Sequence, residues 1–319
     1  MIKVLVSHSL YPESFNGFPE DFHVIRPEKG SFSYHELLEK IEDVDAFIPM
    51  FDLKVPAELI KKSKKLKIIS NVGVGYNNID INTAKEHNTI VCNTPTPVTE
   101  PTAELAMTLM GSIARGLVLS DRKVRNSSVK WGVLENIGRG LYGKTLGIVG
   151  MGRIGQATAR RAVASGMKVV YYSRNRVAEN IEKLYDAEYM PLNELLKVSD
   201  FISLHTPLTD ETRHLINAER LNICKPSAYI INTARGAVID ENALISALKS
   251  GKIKGAALDV YENEPHISEE LLELDNVVLV PHIGTATREA RNEMAAQATQ
   301  NVVNYFKGHH IHRVIYPPN

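Results

Sequence analysis

The chain is 319 residues long, with 37 lysines and arginines against 37 aspartates and glutamates and so no formal net charge. Hydrophobic residues make up 44% and charged residues 23%, an ordinary globular composition that excludes a disordered chain and, lacking a basic excess, a nucleic-acid carrier. Two cysteines, Cys92 and Cys224, stand without CxxC spacing, which sets the expectation of a reduced, cytoplasmic protein, and no apolar run approaches the ~20 residues of a membrane span. At about 150 residues per domain, the length predicts two domains.

Residues 2–6 read as a strand rather than as part of a targeting segment. Helical spacing follows at 34–41, strand character at 46–48, a helix at 56–64, a strand at 66–70, a helix at 78–86 and a strand at 89–92. This alternation predicts βαβ units and a parallel sheet covered on both faces. From Thr99 to about Asn126, Ala, Leu and Met recur at helical spacing for about seven turns, with Pro101 in the first turn, where its missing N–H is tolerated. The segment reads as one long helix, and its stripe of Ala103, Ala106, Met107 and Met110 is expected to be partly buried between subunits. A second alternating series runs through strands at 145–149, 168–172, 201–204, 229–232, 255–260 and 277–280. Its helices lie at 154–165, 193–198, 218–223 and 241–250, and a last long helix covers 288–306. The fold class expected is α/β, with two doubly wound parallel-sheet domains.

The stretch 146–155 places Gly150, Gly152 and Gly155 in G-x-G-x-x-G spacing between an apolar strand and a helix. That context fits a dinucleotide site: Gly150 for the turn, Gly152 for close approach of a pyrophosphate, Gly155 for helix–strand packing, and Arg153 and Ile154 at the helix N-terminus facing the anion. The carboxylate expected ~20 residues on, to hold the ribose hydroxyls, is missing. Ser173, Arg174 and Arg176 follow the second strand instead and suit a 2′-phosphate, so NADP(H) is expected over NAD(H), with NAD(H) use still open.

Several motifs in order extend the pattern: Leu204-His205-Thr206-Pro207-Leu208-Thr209, Ile231-Asn232-Thr233-Ala234-Arg235-Gly236, Ala257-Leu258-Asp259-Val260-Tyr261 and Val280-Pro281-His282-Ile283-Gly284. With the glycine fingerprint they make the chain resemble the D-2-hydroxyacid dehydrogenase family over essentially its whole length, closest in appearance to glyoxylate/hydroxypyruvate reductases. The resemblance implies a flavodoxin-like substrate domain at 1–98, completed by 288–319, and a Rossmann domain at 99–287. It implies a catalytic trio of Arg235, Glu264 and His282, reducing a small 2-oxo acid to the D-2-hydroxy acid. It also implies cofactor contacts from Thr102, His205, Pro207, Thr212, Thr233, Ala234, Asp259 and Gly284.

The chemistry is consistent on its own terms. A 2-oxo acid reductase needs a cation for the carboxylate, a hydride donor and an acid for the new alkoxide. Arg235 supplies a planar fork at a strand end, and His282, oriented by Glu264, can donate the proton. His205 occupies a similar strand end and competes with His282 on spacing alone; only the resemblance separates them. The Asn71–Tyr76 loop looks like the family's substrate loop, with backbone N–H groups of Val74 and Gly75 on the carboxylate, although a plain βα turn explains its spacing equally well. The 49–53 loop, with Met50 and Phe51, is expected to shape the pocket.

His309, His310 and His312 read as a solvated tail and not a metal site. Residues 99–141 resemble the family's dimerisation arm, which predicts a homodimer with Trp131 approaching the neighbouring subunit's pocket. A phosphoglycerate dehydrogenase-like enzyme and a nucleotide-sensing corepressor of the same fold are the alternatives. Formate dehydrogenases carry Gln where Glu264 stands and fit less well.

Overall fold

The computed structural model describes residues 1–311 and 313–316 and divides into two compact units, one of residues 1–98 with the chain from Thr285 onward, the other Thr99–Gly284. The first begins with β1 (Ile2–Val6), β2 (Phe22–Ile25), α1 (Tyr34–Lys40), β3 (Ala46–Ile48), α2 (Ala57–Lys62), β4 (Ile68–Ser70), α3 (Ile81–Glu86) and β5 (Ile90–Cys92). α1 and α3 start where local side chains satisfy the first N–H groups. Ser33 and Glu36 form a reciprocal capping box before α1, and Asp80 caps α3. Leu5, Phe47, Ile69 and Val91 alternate onto one face of the sheet and meet Leu37 and Leu59 of the covering helices.

The second unit opens with α4 (Thr99–Arg115) and α5 (Leu117–Arg125), then β6 (Thr145–Val149), α6 (Arg153–Ala164), β7 (Lys168–Tyr172), α7 (Glu179–Tyr185) and β8 (Ala187–Tyr189). It continues through α8 (Leu192–Val198), β9 (Phe201–Leu204), α9 (Ala218–Ile223), β10 (Tyr229–Asn232), α10 (Glu241–Lys249), β11 (Gly255–Leu258), α11 (Glu269–Leu272) and β12 (Val277–Leu279). Its seven strands are parallel in the order β12-β11-β10-β9-β6-β7-β8. The order reverses at β6 and β9, so their carboxyl ends flank the crevice where open α/β sheets bind ligands. The chain returns to the first unit with α12 (Arg288–Lys307), capped by Thr287 and ended by left-handed Gly308, and with β13 (Val314–Tyr316). The first sheet runs β13-β5-β4-β3-β1-β2.

Three expectations are corrected. The helix from Thr99 is not continuous: Gly116 takes a left-handed φ of 59° and the chain bends by 60° between α4 and α5. The Ala103, Ala106 and Met110 stripe is fully buried inside the chain itself, where Ala106 and Met110 pack with Leu146, Ile148 and Tyr229, and Met107 packs against the same core. That face is core, with Met107 alone of the four partly exposed. The first sheet is also not purely parallel, because β13 pairs antiparallel with β5. β13 and β2 are short, partly polar edge strands without a periodic signal long enough to read.

Among the described residues no group of three or more His, Cys, Asp or Glu could hold a metal ion, and no single helix is long and apolar enough to cross a membrane. His309 and His310 are exposed, and His312 lies outside the described residues.

Candidate active site

Three loops at the carboxyl edge of the second unit's sheet bring the sequence-predicted trio together. After β10, Asn232 folds back on its own turn. Its Nδ2 donates to the carbonyl of Arg235 at 3.0 Å, and its Oδ1 accepts from the N–H of Ala234 at 3.0 Å. This local latch presents Arg235 beyond the strand end. Gly236 then lies against backbone: a Cβ there would sit 1.8 Å from the Tyr261 carbonyl carbon and 2.3 Å from the Glu262 nitrogen. Only glycine lets the arginine turn and the loop after β11 pack main chain to main chain. In that second loop the Tyr261 N–H donates to Glu264 Oε1 at 2.8 Å, and the Tyr261 hydroxyl donates to the Val280 carbonyl at 3.0 Å.

The third loop, after β12, carries His282 in the left-handed region at φ 54°, a conformation that β-carbon-bearing residues adopt only under constraint. Asp259 provides much of that constraint. Its carbonyl accepts the His282 N–H at 2.9 Å, and its carboxylate accepts the N–H groups of Ile283 at 2.6 Å and Gly284 at 2.9 Å. Thr102 braces the same loop through its hydroxyl to the Gly284 carbonyl at 3.4 Å. The ring of His282 is thereby set with Nδ1 2.8 Å from Glu264 Oε2. Asp259 and Thr102, which the resemblance places against the cofactor, also hold the histidine loop.

Burial alone would raise the Glu264 carboxyl, but the hydrogen bond and charge of His282, the Tyr261 N–H and the field of Arg235 outweigh it and hold it below its ordinary value. Burial lowers the pKa of Arg235, with Glu264 opposing. Asp259 is pushed up to about 6, chiefly by burial. His205, the competitor by spacing, sits in a different environment. It is half-buried, its Nε2 is 2.9 Å from the Ser203 hydroxyl, and burial lowers its pKa to about 4.

The glycine turn is built as its spacing implies. Gly150 has φ 102°, and a Cβ on it would meet the His205 carbonyl at 2.8 Å; one on Gly155 would stand 2.2 Å from the Gly150 oxygen. By contrast, nothing lies within 4 Å of the Cβ position of Gly152, and no side chain caps α6 there. The N–H groups at Arg153 and Ile154 thus open onto a space suited to a pyrophosphate. Nearby motif residues carry buried polar atoms without a hydrogen-bond partner: His205 Nδ1, Thr206 Oγ1 and Thr233 Oγ1. Such atoms fit a polar ligand. Thr206 was overlooked as a contact although it stands inside the motif that pointed to His205 and Pro207. The Thr212 hydroxyl closes its own loop onto the Pro207 carbonyl at 2.6 Å, and Ala234 is buried beside Thr233.

At the end of β7 the expectations divide. Ser173 Oγ accepts the Met151 N–H at 2.6 Å and so ties β7 to the glycine turn. Arg176 already has a carboxylate partner: its Nε and Nη2 both bind Glu182 at 2.8 Å, and the Tyr171 hydroxyl donates to the same carboxylate. Arg174 stays exposed beside the strand end.

In the first unit, the Asn71–Tyr76 loop has its Val74 and Gly75 carbonyls bound by the side-chain amides of Asn93 at 2.6 Å and Asn71 at 2.7 Å. Gly73 admits Phe51, whose ring lies 4.7 Å from the Arg291 guanidinium.

The model of the NAD binding domain of D-isomer specific 2-hydroxyacid dehydrogenases matches residues 107–284. A glyoxylate reductase from Thermococcus litoralis is 51% identical over 288 residues, covering 89% of this chain and 85% of its own. A glyoxylate reductase structure from Paecilomyes thermophila superposes with a TM-score of 0.88 at 33% identity, with 98% of each chain covered. The NADPH-dependent glyoxylate/hydroxypyruvate reductase of Sinorhizobium meliloti, in complex with NADP and malonate, gives a TM-score of 0.83 at 30% identity over 98% of this chain and 96% of its own. A matching family model over more than half of the chain, full-length relatives and a dinucleotide turn of the required shape lead to one conclusion: the chain belongs to the D-isomer-specific 2-hydroxyacid dehydrogenase family of NAD(P)-dependent oxidoreductases.

Proposed function

We propose that the protein reduces a small 2-oxo acid of the glyoxylate or hydroxypyruvate type to the corresponding D-2-hydroxy acid. The observation that carries this reading is the pairing of His282 Nδ1 with Glu264 at 2.8 Å, on a loop that shares its sheet edge with Arg235. NAD(P)H, with its pyrophosphate on the glycine turn and the N-terminus of α6, would supply the hydride. Arg235 binds the substrate carboxylate with its guanidinium fork. Glu264 holds Nδ1 of His282 and orients the ring, so that Nε2 can donate the proton to the carbonyl oxygen as hydride adds at the adjacent carbon. The product is the 2-hydroxy acid, and His282 is left neutral until solvent reprotonates it.

The coenzyme preferred is NADPH. No carboxylate stands among residues 173–176, directly after β7, to repel a 2′-phosphate, and with Arg176 paired to Glu182 the contact falls to Arg174. The relatives named as glyoxylate reductases support the substrate class. The test is kcat/KM for a panel of 2-oxo acids with both coenzymes, in the wild type and in Arg174→Ala. We expect glyoxylate and hydroxypyruvate to lead, and a preference for NADPH of roughly 10-fold or more that Arg174→Ala largely removes. A preference for NADH would overturn the coenzyme assignment, and negligible turnover of every 2-oxo acid would overturn the reaction.

The assembly proposed is a homodimer, joined through the segment after Gly116. There Trp131 is 86% exposed and Val133, Leu134, Ile137 and Tyr142 are exposed with it, an apolar set that a second copy would cover. Light scattering should give about twice the 35.5 kDa chain mass, and a monomer at micromolar concentration would refute it.

A further inference from the structure

We infer that His214 is a positioning residue for the proposed active site, a cross-brace that fixes the distance between the loop of Arg235 and the loop of Glu264. His214 lies between β9 and α9 and is left-handed, at φ 50°. Its two ends meet different loops. The main-chain N–H donates to the carbonyl of Ala237 at 2.8 Å, two residues beyond Arg235. The imidazole Nε2 lies 2.6 Å from Glu262 Oε1, two residues before Glu264. One residue therefore spans the two loops that carry the carboxylate-binding cation and the partner of the proton donor.

Both attachments are themselves anchored. On the arginine side, the Ile216 N–H donates to the Val238 carbonyl at 3.0 Å, and the Asp240 N–H returns to the Ile216 carbonyl at 3.0 Å. On the glutamate side, Glu262 and Glu241 form a reciprocal pair. The Glu262 N–H donates to Glu241 Oε2 at 3.1 Å, and the Glu241 N–H donates to Glu262 Oε2 at 3.3 Å. The Glu262 carboxylate is thus pinned to the first turn of α10 before His214 reaches it.

An exposed ion pair between two mobile side chains contributes little. This pair differs because neither partner is free to wander: the side chains are 40% and 21% exposed, and each is fixed from behind. The left-handed backbone adds a second argument. Glycine would occupy that position without strain, yet a histidine is held there, and its imidazole is what reaches Glu262. The packing of Gly236 on the Tyr261–Glu262 backbone brings the two loops into contact. The His214–Glu262 link adds a side-chain tie across them, so that Arg235 and the Glu264–His282 pair keep one separation, as a reactive geometry requires.

This inference rests on the proposed roles of Arg235, Glu264 and His282. It is tested in the intact protein with His214→Asn, which tolerates the left-handed backbone but is too short to reach Glu262, with His214→Gln, which restores an amide donor, and with Glu262→Ala. In His214→Asn, kcat should fall roughly 5- to 20-fold and the KM of the oxo acid should rise severalfold, while the coenzyme KM stays within about 2-fold. His214→Gln should recover most of the loss. Glu262→Ala should match His214→Asn, and the double variant should be no worse than either single one.

Unchanged kcat and oxo-acid KM in His214→Asn would overturn the brace. So would multiplying losses in the double variant, or a coenzyme KM that rises in step with the substrate KM, which marks general loosening. Glu264→Gln, measured alongside, separates the two levels. A large loss there with a silent His214→Asn removes only the brace, whereas full activity in Glu264→Gln removes the catalytic reading and the brace with it.

Discussion

His205 and His282 each follow a strand of the same parallel sheet, each at its carboxyl end, yet the protein treats them in opposite ways. The ring of His205 is half-buried, has among the described residues the Ser203 hydroxyl as its hydrogen-bond partner, and is disfavoured from charging by burial, with its pKa lowered to about 4. The ring of His282 stands at the rim, on a constrained left-handed residue, with a carboxylate on Nδ1. Desolvation without a counter-charge disfavours an imidazolium, whereas a paired carboxylate favours it. A histidine becomes a proton carrier through the partner it is given and not through its place on a strand. His205, with one buried ring nitrogen unpartnered, suits the coenzyme side of the crevice.

The sharpest way to break this comparison is to remove each ring in turn. His282→Ala should lower kcat by ~100-fold or more with coenzyme binding intact, because the lost proton donor acts mainly in the transition state. His205→Ala should act chiefly on coenzyme KM. Steady-state kinetics with both ligands varied distinguishes them, and the reverse pattern would exchange the two assignments.

A smaller effect is expected at the cation. Arg235→Lys keeps the charge but loses the planar fork, so kcat/KM should fall by about 1–2 kcal/mol, or roughly 5- to 30-fold. An unchanged kcat/KM would place the substrate carboxylate elsewhere.

The smallest effect concerns Asp259 and is read in stability. Its carboxyl is raised to about 6 in the fold, mainly by burial. For an acid raised in this way the unfolded chain ionises first, so the contribution is present in full below pH about 4 and is lost as the pH rises towards 6. The thermal midpoint of the wild type should therefore decline relative to that of Asp259→Asn between pH 4 and 6. A constant difference across that range would show that Asp259 is ionised there already. Glu264, held below its ordinary value, has the opposite sign: its contribution is present above the unfolded pKa and is lost as the pH falls through the folded one.

Much of the site was legible because the relevant signals are local. The roles of Gly150, Gly152 and Gly155 lie within one turn, and each glycine meets the surroundings that its place in the spacing implies. The trio was legible as a resemblance, from motifs that sit at three strand ends. The partners of Arg176 and Asp259 were not. Glu182 stands six residues from Arg176 but reaches it only once α7 has folded over β7, and Asp259 meets the N–H groups of Ile283 and Gly284 only when β11 and β12 lie side by side.

Taken by itself, the sequence determined the alternation of strands and helices, the dinucleotide turn and the residue types at the catalytic edge, because hydrophobic period and turn chemistry are encoded within a few residues of where they act. Tertiary structure decided which apolar face is core and which histidine receives a carboxylate partner. An apolar stripe such as Ala103, Ala106 and Met110 reads the same whether it meets its own sheet or a second subunit, and only packing shows that it fills the chain's own core. A histidine's proton affinity depends on burial and on charges brought from distant positions, so the environments of His205 and His282 could diverge only after the sheet had assembled around them.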